Sequence, residues 1–227
     1  WGNATIRFID TRPYAAALPD TVRAYYSAVT YYRALLFSDL FSGYDKILYL
    51  DSDITVRKNI SKLFYTDISD YAGAVIKDYT MDVKMLYDIP IDYKGTRYSA
   101  RGYISEVLGL STFDAYFNAG VILFNLHECR KLWKYEDVLK VFSKENYYLQ
   151  DQDALNILMD KNVLYLETAW NYQNVYEFLK EETFGDGKRL WQCVKNDDPG
   201  IIHYVSSVKP WNSENCAMIE YYHHYDF

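Results

Sequence analysis

Leu50-Asp51-Ser52-Asp53-Ile54-Thr55 sets two carboxylates one residue apart, where the apolar run Lys46-Ile47-Leu48-Tyr49-Leu50 gives way to polar chain. Acids so spaced at a strand end can both approach one hard cation. Oxygen ligands of this type suit Mn²⁺ or Mg²⁺, which can also hold a diphosphate. Acids favour strand ends and turns for local reasons too, and the short motif alone leaves both readings open. A second group lies far along the chain. His203 sits in the apolar run Ile201-Ile202-His203-Tyr204, and Lys209 follows it, ahead of Pro210 and Trp211. A neutral imidazole can complete an Asp–Asp–His set for Mn²⁺ while the Lys209 ammonium neutralises a phosphate oxygen. A histidine beside a strand is as readily a packing residue.

Three further segments carry polar groups where a ligand could use them. Phe117-Asn118-Ala119-Gly120 leads into Val121-Ile122-Leu123-Phe124. Its small residues allow close backbone approach to a ligand, and Asn118 offers a donor and an acceptor to sugar hydroxyls. The plain alternative is a turn before a strand. Asp151-Gln152-Asp153 opens a helical pattern, where carboxylates serve as caps and complement the dipole. Arg33, within the first long helical pattern, reads as a surface cation unless an anion lies near it.

The elements that must position these groups follow from periodicity. Ala4 to Ile9 reads as a strand, and apolar residues at three- and four-residue steps predict a helix from about Thr21 to Phe41. Short apolar strands are expected at Lys46–Leu50, Ala72–Ile76, Gly120–Phe124, Val163–Leu166 and Ile201–Tyr204. Between them come a helical turn at Ile60–Phe64 and helices at His127–Phe142 and Gln150–Met159. Residues 78–116 and 170–200 are long insertions of the kind that carry specificity, the first reading as a loop-and-helix excursion outside the core. Short buried strands alternating with helices imply an α/β sandwich with a mostly parallel central sheet and ligands beyond the strands' carboxyl ends.

Composition narrows the function classes. The 227 residues are enough for a self-sufficient core, 50% of them are hydrophobic, and no apolar run approaches a membrane span. The chain therefore reads as a soluble protein. Three widely spaced cysteines, Cys129, Cys193 and Cys216, offer neither a disulfide framework nor a zinc knuckle, and a reducing cytosol is the simpler setting. A formal charge of −7 argues against nucleic acid as the partner. A metal ion and a few local cations can still reverse the field for an anionic nucleotide. The 25 tyrosines are read as amphipathic packing before sugar stacking.

Taken in order, Tyr31 to Leu35, Ile47 to Asp53, Phe117 to Val121, Asp151-Gln152-Asp153-Ala154-Leu155-Asn156 and His203 to Trp211 resemble glycosyltransferase family 8, the group of glycogenin and the bacterial lipopolysaccharide glucosyl- and galactosyltransferases. The resemblance implies a Rossmann-related GT-A fold and retaining transfer from a UDP-hexose to a glycan or glycolipid acceptor. It also implies Mn²⁺, with Mg²⁺ as an alternative, and a cytoplasmic setting at the inner membrane surface with peripheral membrane association. Carried over by position, Asp51, Asp53 and His203 are metal ligands and Lys209 is the diphosphate cation. Arg33, Asp78, Asn118, Ala119, Asp151 and Gln152 form the donor-sugar pocket. Gln152 lies opposite the leaving group; an amide is a poor nucleophile, so front-side displacement within an ion pair is preferred, with Asp151 or Asp153 as the covalent alternative.

Two departures stand out. Ser206 occupies the place of the family's glycine in His-x-x-Gly-x-x-Lys-Pro-Trp, which implies strain or a different phosphate contact. Residues 1–227 also read as a single catalytic domain that starts after the family's first β-α-β unit. Two rival functions remain. Asp51-Ser52-Asp53-Ile54-Thr55 fits the Asp-x-Asp-x-Thr motif of haloacid-dehalogenase-type phosphatases, whose second metal motif has only Gly185-Asp186 as a near match, with Leu190 where an acid is needed. The other rival is a non-catalytic, sugar-binding remnant of the same scaffold.

Overall fold

The computed structural model describes residues 5–19, 28–144 and 147–224. Its central sheet has four strands: β1 (Lys46–Leu50), β3 (Gly73–Lys77), β6 (Phe117–Asn125) and β7 (Val163–Leu166), in the order β1-β6-β3-β7. A second sheet joins β2 (Ile54–Val56), β9 (Ile201–His203) and β8 (Tyr172–Gln173), and β4 (Ile91–Tyr93) pairs with β5 (Thr96–Tyr98) as a hairpin. The α/β fold class holds, but the expected mostly parallel sheet does not. β6 runs antiparallel to both β1 and β3, and in the central sheet only β3 and β7 are parallel. Strands buried on both faces read as continuous apolar runs whatever their direction, so the pattern gave burial and not polarity.

β6 organises the core. Phe117 and Ala119, then Ile122 and Phe124, face the large cluster that includes Tyr31, Leu35, Phe142, Leu155 and Met159. Val121 and Leu123 face smaller clusters on the opposite side. The face changes between Ala119 and Ile122 because the register of β6 against β3 shifts there. A bulge of this kind re-aims side chains and is common beside functional sites. It also means that Phe117-Asn118-Ala119 is strand and not the turn before one.

Other boundaries moved for identifiable reasons. Ala4 lies outside the described residues, and residues 5–10 form no strand; Phe8 is 97% exposed, so no described residue covers it. Of the expected helix from Thr21 to Phe41, residues 21–27 lie outside the described residues, and the rest winds as 3₁₀ turns at Ala28–Phe37 and Asp39–Phe41. Ser38 separates the two, its hydroxyl donating to the Leu35 carbonyl and accepting from Leu40 N–H. The helix expected at His127–Phe142 is two, Leu126–Leu132 and Tyr135–Lys144, parted by an extended Trp133 whose ring packs edge-on against Phe37. The stretch 78–116 is not peripheral. It contains the helix Thr80–Leu86 and the β4/β5 hairpin, and it buries Met81, Ile91, Tyr103 and Ile104 completely or nearly so. No helix among the described residues is long and apolar enough to cross a membrane.

Candidate active site

A cleft of about 340 Å³ opens where β1 and β3 end and β6 begins. Asp51 follows β1, its backbone N–H donating to the Gly120 carbonyl at 2.8 Å. Asp78 follows β3 and donates its N–H to the Tyr116 carbonyl at 3.0 Å. The β2/β9 ladder then brings in the distant part of the chain. Ile54 pairs with His203, and Tyr204 N–H bonds the Asp53 carbonyl at 2.9 Å. Of the residues that the sequence singled out, Arg33, Asp51, Asp53, Asp78, Asn118, Ala119, Asp151, Gln152, His203, Ser206 and Lys209 all line this cleft.

The cationic and anionic groups are tightly interlocked. One ligand atom each from Asp51, Asp53 and His203 lies within 4.8 Å of the others. His203 Nε2 is 3.2 Å from Asp53 Oδ1 and 3.8 Å from Asp51 Oδ2, and Lys209 Nζ is 2.6 Å from Asp53 Oδ2. Burial works against ionisation of Asp53, but the His203 imidazole and Lys209 ammonium outweigh it and hold the carboxyl well below its ordinary range. Two carboxylates and an imidazole are a donor set that suits Mn²⁺, and their convergence fits such an ion.

Arg33 is not a surface cation. Its side chain is 6% exposed, with Nη2 2.9 Å from Asp51 Oδ1, Nη1 2.8 Å from the Ala119 carbonyl and Nε 2.6 Å from Asp151 Oδ2. In a 3₁₀ turn residues three apart eclipse, so Thr30 reaches the same carboxylate and donates its hydroxyl to Asp151 Oδ1. Asp151 therefore faces the cleft as a clamped anion as well as opening the helix Asp151–Met159. Gln152 takes the Ala119 N–H on Oε1 at 3.0 Å and donates through Nε2 to Asp78 Oδ2 and the Tyr116 hydroxyl.

Asp153 stands apart from the expected catalytic set. It is wholly buried and does not line the cleft. Its carboxylate receives the Tyr103 hydroxyl and Leu149 N–H, each at 2.8 Å, and the Tyr116 hydroxyl. A nucleophile must reach the substrate, and this group is instead a brace beneath Tyr116 and Gln152. Burial raises its carboxyl from the ordinary 3.8 to about 6. The folded state therefore binds the proton more tightly than the unfolded chain. The resulting stabilisation is present below about pH 4 and lost as pH rises through about 6, an effect of about 3 kcal/mol. Asp153→Asn does not titrate, so its stability deficit relative to wild type should shrink by about that amount between pH 4 and pH 7 in urea unfolding. A deficit independent of pH would contradict the raised value.

Ser206, at the rim, has φ +84°, the conformation for which glycine is suited. The expected strain is therefore present. Ser206→Gly should stabilise the protein by about 1 kcal/mol and raise Tm by roughly 2–4 °C, readable by calorimetry. Sequence reasoning missed Thr30, Tyr49, Tyr116, Asn171 and Gln173. Tyr49 donates its hydroxyl to Asp51 Oδ1 at 2.7 Å, and its ring lies under the Arg33 guanidinium, 4.5 Å from the centroid. Asn171 and Gln173 flank the buried Tyr172, and polar residues alternating about a core tyrosine were the available signal.

Comparison with known proteins agrees with this geometry. The chain is 29% identical over 190 residues to a lipopolysaccharide 1,2-glucosyltransferase of Escherichia coli K12, covering 82% of this chain and 50% of that protein. It is 26% identical over 219 residues to a lipopolysaccharide 1,3-galactosyltransferase of Salmonella typhimurium, covering 91% of this chain and 55% of that one. The chain thus spans about half the length of these curated relatives. Among solved structures, the galactosyltransferase LgtC in complex with donor and acceptor sugar analogues superposes with a TM-score of 0.69 at 28% identity, over 98% of this chain and 74% of LgtC. The bifunctional glycosyltransferase WbbM gives 0.75 at 26% identity, over 88% of this chain and 35% of WbbM. The fold is GT-A. With the sequence profile "Glycosyl transferase family 8" matching residues 9–215, the chain belongs to glycosyl transferase family 8.

Proposed function

We propose that this chain carries out retaining transfer of a hexose from a UDP-sugar to a carbohydrate acceptor of a cell-surface glycan, with Mn²⁺ as cofactor. The observation that carries the reading is the convergence of Asp51, Asp53 and His203, within 4.8 Å of one another, with Lys209 against Asp53 in the same cleft. Asp51, Asp53 and His203 would hold the divalent ion, which when bound supplies positive charge to a departing diphosphate. Lys209 adds a second positive charge for the phosphate oxygens. Asp78, Asn118 and Gln152 present fixed amide and carboxylate groups to the sugar hydroxyls, a network that needs no reorganisation on binding.

The front-side route is supported by the state of the alternatives. Asp151 is clamped by Arg33 and Thr30, Gln152 is engaged at both ends of its amide, and Asp153 is out of reach. In that route the leaving phosphate takes the acceptor proton while the new glycosidic bond forms on the face it vacates. The relatives named for glucosyl and galactosyl transfer to lipopolysaccharide support a hexose donor and a cell-surface acceptor.

The test is Mn²⁺-dependent release of UDP from UDP-glucose or UDP-galactose, abolished by EDTA. Cleavage of a small phosphomonoester with no UDP release would favour the phosphatase reading. Against that reading, Asp186 pairs with Arg189 at 2.9 Å on the surface, with 78% of its side chain exposed, and does not line the cleft. Neither Mn²⁺ uptake nor UDP release would favour the sugar-binding remnant.

A further inference from the structure

Asn171 is wholly buried at the end of the 3₁₀ turn Thr168–Trp170, with its backbone N–H on the Thr168 carbonyl at 3.0 Å. Its carboxamide lies between two groups of the cleft. Oδ1 is 2.9 Å from His203 Nδ1, and Nδ2 is 2.8 Å from Asn118 Oδ1. Amide orientations and imidazole tautomers have to be argued from the hydrogen-bond network, and here one unambiguous donor fixes the whole network. The Gly120 backbone N–H points at the Asn118 side chain at 2.9 Å, so the atom it meets must be the amide oxygen. The other end of Asn118 faces Asp78 Oδ2 at 3.3 Å, which accepts a proton from Nδ2. Because Asn118 turns its oxygen to Asn171, Asn171 must turn its NH₂ to Asn118. Its own oxygen is then left for His203. Nδ1 of His203 therefore carries a proton, which leaves Nε2, the nitrogen beside Asp51 and Asp53, as the one that can give up its proton to an ion.

We infer that Asn171 is a positioning residue of the metal site, holding His203 in the tautomer and ring orientation that present Nε2 as a ligand. The inference rests on the metal reading of Asp51, Asp53 and His203 made above. A ligating histidine depends on such a partner at its other nitrogen, and loss of that partner typically weakens metal affinity about 10–100-fold.

Two readouts test it. The first is the ¹⁵N shifts of the His203 ring in the metal-free protein, at a pH where the ring is neutral, with the signal assigned by its loss in His203→Gln. The second is Mn²⁺ affinity by titration followed by electron paramagnetic resonance. Wild type should show Nδ1–H. Asn171→Ala should show mixed tautomers and an affinity about 10–100-fold lower. Asn171→Asp keeps an acceptor at Nδ1 but turns an oxygen on the Asn118 oxygen, so it should lose stability while retaining the wild-type tautomer and an affinity above that of Asn171→Ala. A neutral wild-type ring without a proton on Nδ1, or an Asn171→Ala chain with unchanged shifts and affinity, overturns the inference. Should Asn171→Ala not fold, the wild-type ring and the Asn171→Asp chain decide. A wild type that shows Nδ1–H but takes no Mn²⁺ overturns the metal reading itself, and this inference with it.

Discussion

Asp53→Asn is expected to abolish Mn²⁺-dependent release of UDP and to weaken Mn²⁺ binding by at least about 10²-fold, since removing a ligand must exceed the effect of removing a ligand's supporting partner. The substitution keeps the shape of the side chain and removes its charge. Lys209 Nζ, 2.6 Å away, and His203 Nε2, 3.2 Å away, then face a neutral amide, and the carboxylate that joins them is gone. The backbone of residue 53 stays tied to Tyr204 by a 2.9 Å hydrogen bond, so the β2/β9 ladder persists and the fold should be retained. A native circular dichroism spectrum, with a Tm lowered by loss of the Lys209 ion pair, together with lost Mn²⁺ uptake, makes the expected result. Undiminished UDP release from a folded Asp53→Asn chain would remove the metal site from the mechanism.

Gly120→Ala should be at least as damaging, through packing and not through charge. A Cβ at position 120 would lie 2.2 Å from His203 Cε1, 2.6 Å from Nδ1 and 3.0 Å from Asn118 Oδ1. The imidazole has little room to retreat: the residue is 4% exposed and its Nδ1 is held by Asn171. Overpacking of this sort costs about 1–3 kcal/mol, and any relief must come from moving His203 off its ligand position. Lowered Tm and Mn²⁺ affinity reduced about 10–100-fold or more are both expected. In a His203→Ala background, where the obstructing ring is gone, the same Gly120→Ala change should cost little further stability, and neither chain should bind the ion. If Gly120→Ala binds Mn²⁺ as wild type does, the ring does not sit where the structure has it.

That glycine illustrates how far the sequence could be read. The small residues of Phe117-Asn118-Ala119-Gly120 suit either close approach by a ligand or a turn before a strand. At Gly120 the approaching group is instead the ring of the chain's own His203, which no local pattern around residue 120 could announce. Asp51, Asp53, His203 and Lys209 were legible because they occur in a telling order, each residue taken alone having ordinary structural uses. Arg33 looked like a solvated cation on periodicity alone. Its partners Asp51 and Asp151 meet only in three dimensions. Asp153 shows the opposite error, an acid in a promising tripeptide that points the other way along its helix, into Tyr103 and Tyr116. Strand positions were legible from apolar runs. Strand direction, set by how β6 inserts between β1 and β3, was not.

The short β2/β9 ladder has a kinetic consequence. It joins parts of the chain that are remote in sequence; Lys209 and the carboxylate it meets are 156 residues apart. Closing so long a loop is entropically slow and comes late in folding. During synthesis the chain must emerge at least through His203 before Asp51 and Asp53 can meet the imidazole. A nascent chain halted before β9 would carry the two acids of the cleft without the imidazole that joins them, so the cluster is complete only once this late pairing has formed.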